Sequence, residues 1–141
     1  MRIAMAAAAA AVLSFAAGAA SAETMHYMAM LKGADEVPAN TEKGTGMVHA
    51  SLDTASKAFT YEITYSGLTG PATAAHFHGP AAPGANAGPV VPVTVSASPI
   101  KGMATLTDAQ IADLNSGKWY FNIHTAAHPP GEIRGQVAAM K

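Results

Sequence analysis

Histidines on predicted strands are the residues of this chain with the clearest capacity for chemistry. His76 and His78 are separated by one residue. Side chains at positions i and i+2 of a strand project from the same face, with Cα atoms about 7 Å apart, so both imidazoles can reach one ion. His124 ends a later predicted strand on the same kind of outward face, and His128 follows in a turn. Because neutral imidazoles suit Cu(II) or Zn(II), we predict a metal site at His76, His78 and His124, with His128 as a candidate fourth ligand and copper favoured over zinc.

A second group combines histidine with methionine. His26, Met28 and Met30 share the outward face of the first predicted strand, and Met47 and His49 share the outward face of the second. Thioethers are soft ligands that prefer Cu(I), and imidazole accepts both copper states. If the two strands pair, these five side chains form one patch, called the Met/His patch below. The alternative is that the methionines pack as ordinary apolar filler.

Charged residues near these groups favour structural roles. Glu132 and Arg134 alternate outward on the last predicted strand, and we expect an ion pair that supports the histidine-bearing hairpin. Asp35 and Glu36 are interpreted as loop architecture rather than a catalytic dyad. No residue is predicted to be catalytic, because the chain has no Cys nucleophile, no G-x-S-x-G elbow and no glycine-rich phosphate loop before a helix.

Short alternating segments must position these side chains. Seven segments show the period of two that is typical of half-buried strands, and turn residues separate them. Residues 107–116 form the one predicted helix, with Thr107 and Gln110 as a capping box. We therefore predict an all-β fold, an antiparallel Greek-key sandwich or partly closed barrel of the immunoglobulin or superoxide dismutase kind. The predicted strands are 25–32, 47–53, 57–68, 73–79, 90–96, 119–124 and 132–138.

The beginning of the chain has the pattern of an export signal. Arg2 precedes an Ala-rich apolar stretch, and Ala20-Ser21-Ala22 is an A-x-A cleavage site. We predict a signal peptide at 1–22, a single domain at 23–141 and a periplasmic or secreted location. The chain has no cysteine, so neither disulfides nor thiolate metal sites can form. A formal net charge of −1 argues against nucleic acid as a partner, and no apolar run after the signal could span a membrane. A protein partner cannot be read from the sequence.

Three segments, in order, resemble the CHRD family, which is named from repeats in chordin. Leu31 to Pro38 is similar to the pattern L-x-G-A-x-E-V-P, and Ala75 to Gly79 is similar to A-H-I-H-G. Asn122 to Gln136 is similar to the closing pattern N-x-H-T-x-x-x-P-x-G-E-I-R-G-Q. The likeness covers about residues 25–138. It implies a β-sandwich or barrel domain that is extracellular or periplasmic. His128 occupies a position where we expect the family to vary.

A looser likeness concerns copper/zinc superoxide dismutases. His76, His78, His124 and Arg134 follow a similar order along the chain, but the cysteines of that family are missing and no Asp or Glu lies between Ile63 and Thr107. Three functions therefore stay open. The first is an exported module that binds copper and buffers or delivers it, the second is a structural or interaction module without metal, and the third is a dismutase-like enzyme. We favour binding over catalysis.

Overall fold

The computed structural model of the protein describes residues 12–14, 18 and 21–141. The predicted signal peptide, residues 1–22, lies largely outside the described residues. None of the helices that the described residues form has the length and apolar character needed to span a bilayer.

Antiparallel strands dominate the described part of the chain. Within residues 21–141 there are eight strands: β1 (Thr24–Lys32), β2 (Thr45–Asp53), β3 (Ala58–Ser66), β4 (Ala72–His78), β5 (Pro89–Val93), β6 (Ile100–Thr105), β7 (Trp119–Thr125) and β8 (Ile133–Ala139). They form one sheet in the order β5-β4-β7-β8-β1-β2-β3-β6. The sheet curls into a nearly closed barrel. The predicted all-β class and its partly closed form are therefore confirmed.

Alternating side chains fill the inside of the barrel. Phe59 on β3 and Phe77 on β4 meet edge to face, with ring centroids 5.2 Å apart and planes at 80°. Four strands separate β3 from β4 in the sheet, so these rings can meet only because the sheet closes on itself. The contact is the edge-to-face geometry that aromatic quadrupoles favour. Fully buried members of this core include Tyr27, Leu31, Leu52, Phe59, Ile63, Phe77, Trp119, Phe121, Ile123 and Ile133.

Two short helices accompany the sheet in the described residues. A 3-10 helix covers Gly33–Asp35, and α1 covers Asp108–Asn115. The side-chain oxygen of Thr107 accepts from the backbone N–H of Gln110 at 3.2 Å, and the Gln110 side chain accepts from the Thr107 N–H at 2.9 Å. This reciprocal capping box satisfies two backbone donors at the helix start and confirms the predicted helix.

Strand β6 was not predicted. It lies at one edge of the sheet and pairs only with β3. Its sequence, Ile100 to Thr105, buries a single hydrophobic side chain fully, that of Ile100, and leaves Met103 68% exposed. An edge strand that buries so little shows no apolar alternation, so the sequence offers no periodic signal for it.

The loop between β4 and β5 covers the outer face of β7 and β8. The Tyr120 hydroxyl donates to the backbone oxygen of Ala87 at 3.0 Å, and an Arg134 N–H donates to the Asn86 side chain at 2.8 Å. As a result Tyr120 and Asn122 are only 3% exposed, although they project away from the barrel core. This covered outer surface positions the candidate site.

Candidate metal centre

Three histidines meet on the outer face of β4 and β7. His76 and His78 lie on β4, and His124 lies on the antiparallel neighbour β7. The register pairs His76 with Asn122 and Ala74 with His124, so the outward side chains of both strands form one group. One ring nitrogen from each histidine lies within 4.8 Å of the other two. Two nitrogens bonded to one ion at about 2.0–2.1 Å lie at most about 4.2 Å apart, so the spacings are close to those that coordination requires.

His124 is held in one tautomer by the turn that follows it. Its Nδ1 atom lies 2.8 Å from the backbone oxygen of Pro129. A carbonyl oxygen can only accept, so Nδ1 carries the proton and Nε2 of the neutral ring keeps its lone pair. That Nε2 atom lies 3.3 Å from Nδ1 of His76. Metal-binding histidines commonly donate the other ring N–H to a backbone carbonyl, which is the arrangement of His124.

His78 also donates a ring N–H to a backbone oxygen, but its second ring nitrogen faces another acceptor. Its Nδ1 donates to the backbone oxygen of Ala87 at 3.0 Å, and its Nε2 lies 2.9 Å from Oδ1 of Asn122. The Asn122 amide nitrogen points toward the backbone oxygen of Pro130 at 3.4 Å, which turns the amide oxygen to His78. A neutral ring has one N–H for these two acceptor oxygens. A cation beside Nε2 would accept both facing lone pairs.

Aromatic stacking fixes the His78 ring plane. The rings of His78 and Tyr120 are parallel within 3°, with centroids 4.6 Å apart. The Arg134 guanidinium covers the Tyr120 ring at 3.5 Å from its centroid, a favourable cation–π distance. His78 is therefore 9% exposed, whereas His76 and His124 stay partly exposed. The group has one nearly buried member and two members that solvent can reach.

Burial favours the neutral form of two of these histidines. Desolvation lowers the pKa of His76, and the nearby rings of His124 and His78 lower it further. Burial also lowers the pKa of His78 and outweighs the hydrogen bonds with Ala87 and Asn122, which act in the opposite direction. Neutral imidazole is the form that metal coordination requires, and the environment favours that form in both rings.

His128 does not join this group. Its Nε2 atom lies 3.1 Å from a carboxylate oxygen of Glu42. Its backbone belongs to the tight turn between β7 and β8, where its N–H and oxygen both bond Thr125 and its oxygen also accepts from Gly131. The turn directs the side chain toward Glu42, so the structure assembles three of the four predicted histidines.

The expectation that Glu132 and Arg134 form an ion pair, with each other or with a neighbouring strand, is wrong. Neither residue lies in an ion pair among the described residues. Glu132 is fully buried and accepts from the N–H of Thr69 at 2.9 Å, from the Thr69 hydroxyl and from the Thr125 hydroxyl at 2.8 Å. Burial alone would raise the pKa of Glu132, but these hydrogen bonds lower it overall. Both side chains do support the hairpin, through separate sets of partners.

The Met/His patch lies on other strands. β1 and β2 pair in a register that sets Met28 opposite His49 and Met30 opposite Met47. His26, at the end of the patch, lies opposite Ser51. The strand β8 separates this patch from His124 on β7, so the two predicted ligand groups are distinct.

Asn122 and Glu36 contribute to the centre although they were not predicted as site residues. Glu36 is 4% exposed, and its Oε1 atom has no hydrogen-bond partner. Burial raises the pKa of Glu36 to about 7, against the opposing effects of Arg134 and the Asn122 amide. Asn122 thus lies between this carboxyl group and His78. Its position two residues before His124 on the same strand face was the available signal.

The fold and the site together define an all-β domain with a histidine cluster on the outside of its barrel. The family model of the CHRD domain matches residues 27–137. The chain therefore belongs to the CHRD domain family. No curated protein and no solved structure matches the chain.

Proposed function

We propose that this CHRD domain is exported to the periplasm, binds one copper ion through His76, His78 and His124, and buffers or delivers that ion. Export is proposed from the charged start, apolar stretch and A-x-A site of residues 1–22. Asn122 supports the site through its contact with the His78 ring.

The convergence of three ring nitrogens within 4.8 Å is the observation that carries the proposal. Two of the rings, His78 and His124, also donate Nδ1–H to backbone oxygens. Their Nε2 atoms therefore carry the lone pairs, and an ion can bind there without a change of tautomer in these two rings. Nε2 of His78 and Oδ1 of Asn122 face each other as two hydrogen-bond acceptors. A cation beside them would relieve the repulsion between their lone pairs.

Ligand chemistry favours copper. The site offers three imidazole nitrogens, and the chain has no thiolate to offer. Cu(II) stands above Zn(II) in the stability order for such sites, and nitrogen ligands suit its tetragonal geometry. Zinc is the alternative ion. Because His76 and His124 are partly exposed, the ion can enter and leave, which suits a buffering or delivery role.

A titration of the purified protein with Cu(II) tests the proposal. We expect about one tightly bound equivalent with nitrogen-type electron paramagnetic resonance parameters, and loss of that signal in the His76→Ala/His78→Ala variant. The matched control is His26→Ala/His49→Ala, which also removes two histidines but at exposed positions on β1 and β2. Copper binding in the first variant that equals wild type would refute the site.

A structural role is the second candidate, and one observation favours it. His78 joins the loop after β4 to β7 through Ala87 and Asn122, so its hydrogen bonds could serve the fold alone. In that case neither Cu(II) nor Zn(II) would raise the melting temperature of wild type. Under the copper proposal, ligand binding to the native state raises it.

A further inference from the structure

A second ligand group, the Met/His patch, lies on the outer face of β1 and β2. Its two central pairs are directly opposed across the strands, Met28 with His49 and Met30 with Met47. Directly opposed residues in an antiparallel pair have Cβ atoms about 4.5–5.5 Å apart. The pairing of the first two strands, on which the predicted patch depended, is therefore present. It brings three thioethers and one imidazole together on one surface.

Exposure separates these methionines from core methionine. Met30 is 58% exposed, and Met28 and Met47 are partly buried at the surface. The inward neighbours on the same strands, Ala29 and Val48, are at most 2% exposed. A role as apolar filler does not explain a thioether on the solvent side of the barrel, where its sulfur can meet a dissolved ion.

The geometry allows several of these ligands to reach one ion. The two pairs are neighbours along the strands, about 7 Å apart, and methionine has three rotatable side-chain bonds. Sulfur atoms of Met28, Met30 and Met47 can thus turn toward the imidazole of His49 without movement of the backbone. An open groove of about 400 Å³ runs beside Met30 and Met47, which leaves room for this rearrangement.

We infer that Met28, Met30, Met47 and His49 form a second site, selective for a soft monovalent cation such as Cu(I). Thioethers select Cu(I) over harder ions, and imidazole binds it as well. Glu62 on β3 lies opposite His49. Its carboxylate, which would favour a harder ion, lies 3.6 Å from the ammonium group of Lys101 and pairs with it. His26 lies at the margin of the site, opposite Ser51.

This site is independent of the histidine centre. Strand β8 lies between β1 and β7, so Met28 and His124 are on strands about 10 Å apart. The ligand types also differ, since the centre on β4 and β7 contains no sulfur. The inference therefore does not rest on the proposed function, and either site can exist without the other.

Silver(I) is a diamagnetic probe for this chemistry. The full chain, labelled at the methionine methyl groups, is titrated with Ag(I) and followed by nuclear magnetic resonance. We expect the methyl signals of Met28, Met30 and Met47 to shift together. Met103 is the internal control, because it is 68% exposed but lies on β6, with β3 and β2 between it and β1. Equal shifts at Met103 and the three patch methionines, or no shifts at all, would overturn the inference.

A competition assay measures the affinity for Cu(I) itself. Substitution of Met28, Met30 and Met47 by Leu keeps the side-chain volume and removes the sulfurs. We expect Cu(I) binding against a chromogenic chelator to weaken on the order of 100-fold or more, since loss of one hydrogen-bond partner of a metal ligand alone costs about 10–100-fold. Met103→Leu is the matched control and retains wild-type affinity. A triple variant that competes as well as wild type contradicts the assignment.

The same variants separate this site from the histidine centre. The His76→Ala/His78→Ala protein keeps the Ag(I) shifts of Met28, Met30 and Met47 if the two sites are distinct. Disappearance of those shifts in that variant would contradict a separate thioether site.

Discussion

The Nδ1 atom of His76 lies 3.3 Å from the Nε2 atom of His124, although 48 positions of sequence separate the two residues. Since Nδ1 of His124 donates to Pro129, the hydrogen of this contact belongs to His76. The lone pair on Nε2 of His124 therefore points at the ring of His76. An ion that replaces that hydrogen would be held by two strands at once.

Asn122→Ala tests the support given to His78. Removal of the amide oxygen that lies 2.9 Å from Nε2 of His78 leaves the imidazoles in place but takes away the polar group that contacts the His78 ring. We expect Cu(II) affinity to fall about 10–100-fold, measured by competitive titration at a temperature where circular dichroism shows the variant folded. Unchanged affinity in a folded Asn122→Ala protein would mean that the amide serves only the fold.

His128→Ala addresses the fourth predicted ligand. Its Nε2 faces Glu42 at 3.1 Å, outside the group formed by His76, His78 and His124. We expect the Cu(II) affinity to stay within about twofold of wild type, because no ligand is lost, and stability to fall by at most about 1 kcal/mol for a partly exposed pair. A tenfold loss of copper affinity would bring His128 back into the site.

Glu132→Ala tests the buried carboxylate that replaces the expected ion pair. The change leaves the Thr69 N–H and the Thr69 and Thr125 hydroxyls without their acceptor. Buried donors without partners are costly, so we expect the free energy of unfolding to fall by about 2–4 kcal/mol, measured by denaturant titration. Glu62→Ala is the control: its ion pair with Lys101 is exposed and contributes about 0–1 kcal/mol. Equal losses in the two variants would contradict this assignment.

The buried carboxyl group of Glu36 predicts a pH dependence of stability. Burial raises its pKa from 4.5 to about 7 in the folded protein. Between these two pH values the carboxyl group is protonated in the folded state and ionised in the unfolded state. The stabilisation that results from this difference in pKa is fully present below about pH 4.5 and is lost as the pH rises through about 7.

We expect the free energy of unfolding of wild type to fall by about 1–3 kcal/mol more than that of Glu36→Gln between pH 5 and pH 8. The comparison with the variant removes the contributions of all other groups. Glu62→Gln, at an exposed position, is the control and follows wild type. Parallel curves for wild type and Glu36→Gln would show that Glu36 does not hold this proton.

Gly131→Ala tests the close packing around the same carboxyl group. A Cβ atom at this position would lie 2.4 Å from Oε1 of Glu36 and 2.6 Å from Nδ2 of Asn122, and the backbone φ of +129° disfavours any side chain. We expect a loss of about 2–4 kcal/mol in thermal or denaturant unfolding. Gly84→Ala, with φ of +83° and open space around its Cβ, carries only the backbone strain, about 1–2 kcal/mol. A smaller effect at Gly131 than at Gly84 would contradict the packing argument.

Much of the fold followed from local pattern. A period of two decides which side chains face outward, and it placed His26, Met28 and Met30 on the outer face of the first strand because that choice depends only on neighbouring residues. Reciprocal capping by Thr107 and Gln110 was equally local. Strand β6 had no such signal, since only its pairing with β3 defines it.

The candidate site likewise combines features that local sequence predicted with features that only tertiary contacts decided. Sequence alone placed His76 and His78 on one strand face and predicted that His124, with His128 as a candidate fourth ligand, would join them. Tertiary structure decided both, because the register of β4 on β7 brings His124 in, while the tight turn after β7 directs His128 to Glu42. The loops before and after β4 have no periodicity. Glu132 therefore bonds Thr69, 63 positions away, and Arg134 bonds Asn86, 48 positions away, without any local signal. Local periodicity carries no information about such distant partners, and only the closed sheet determines them.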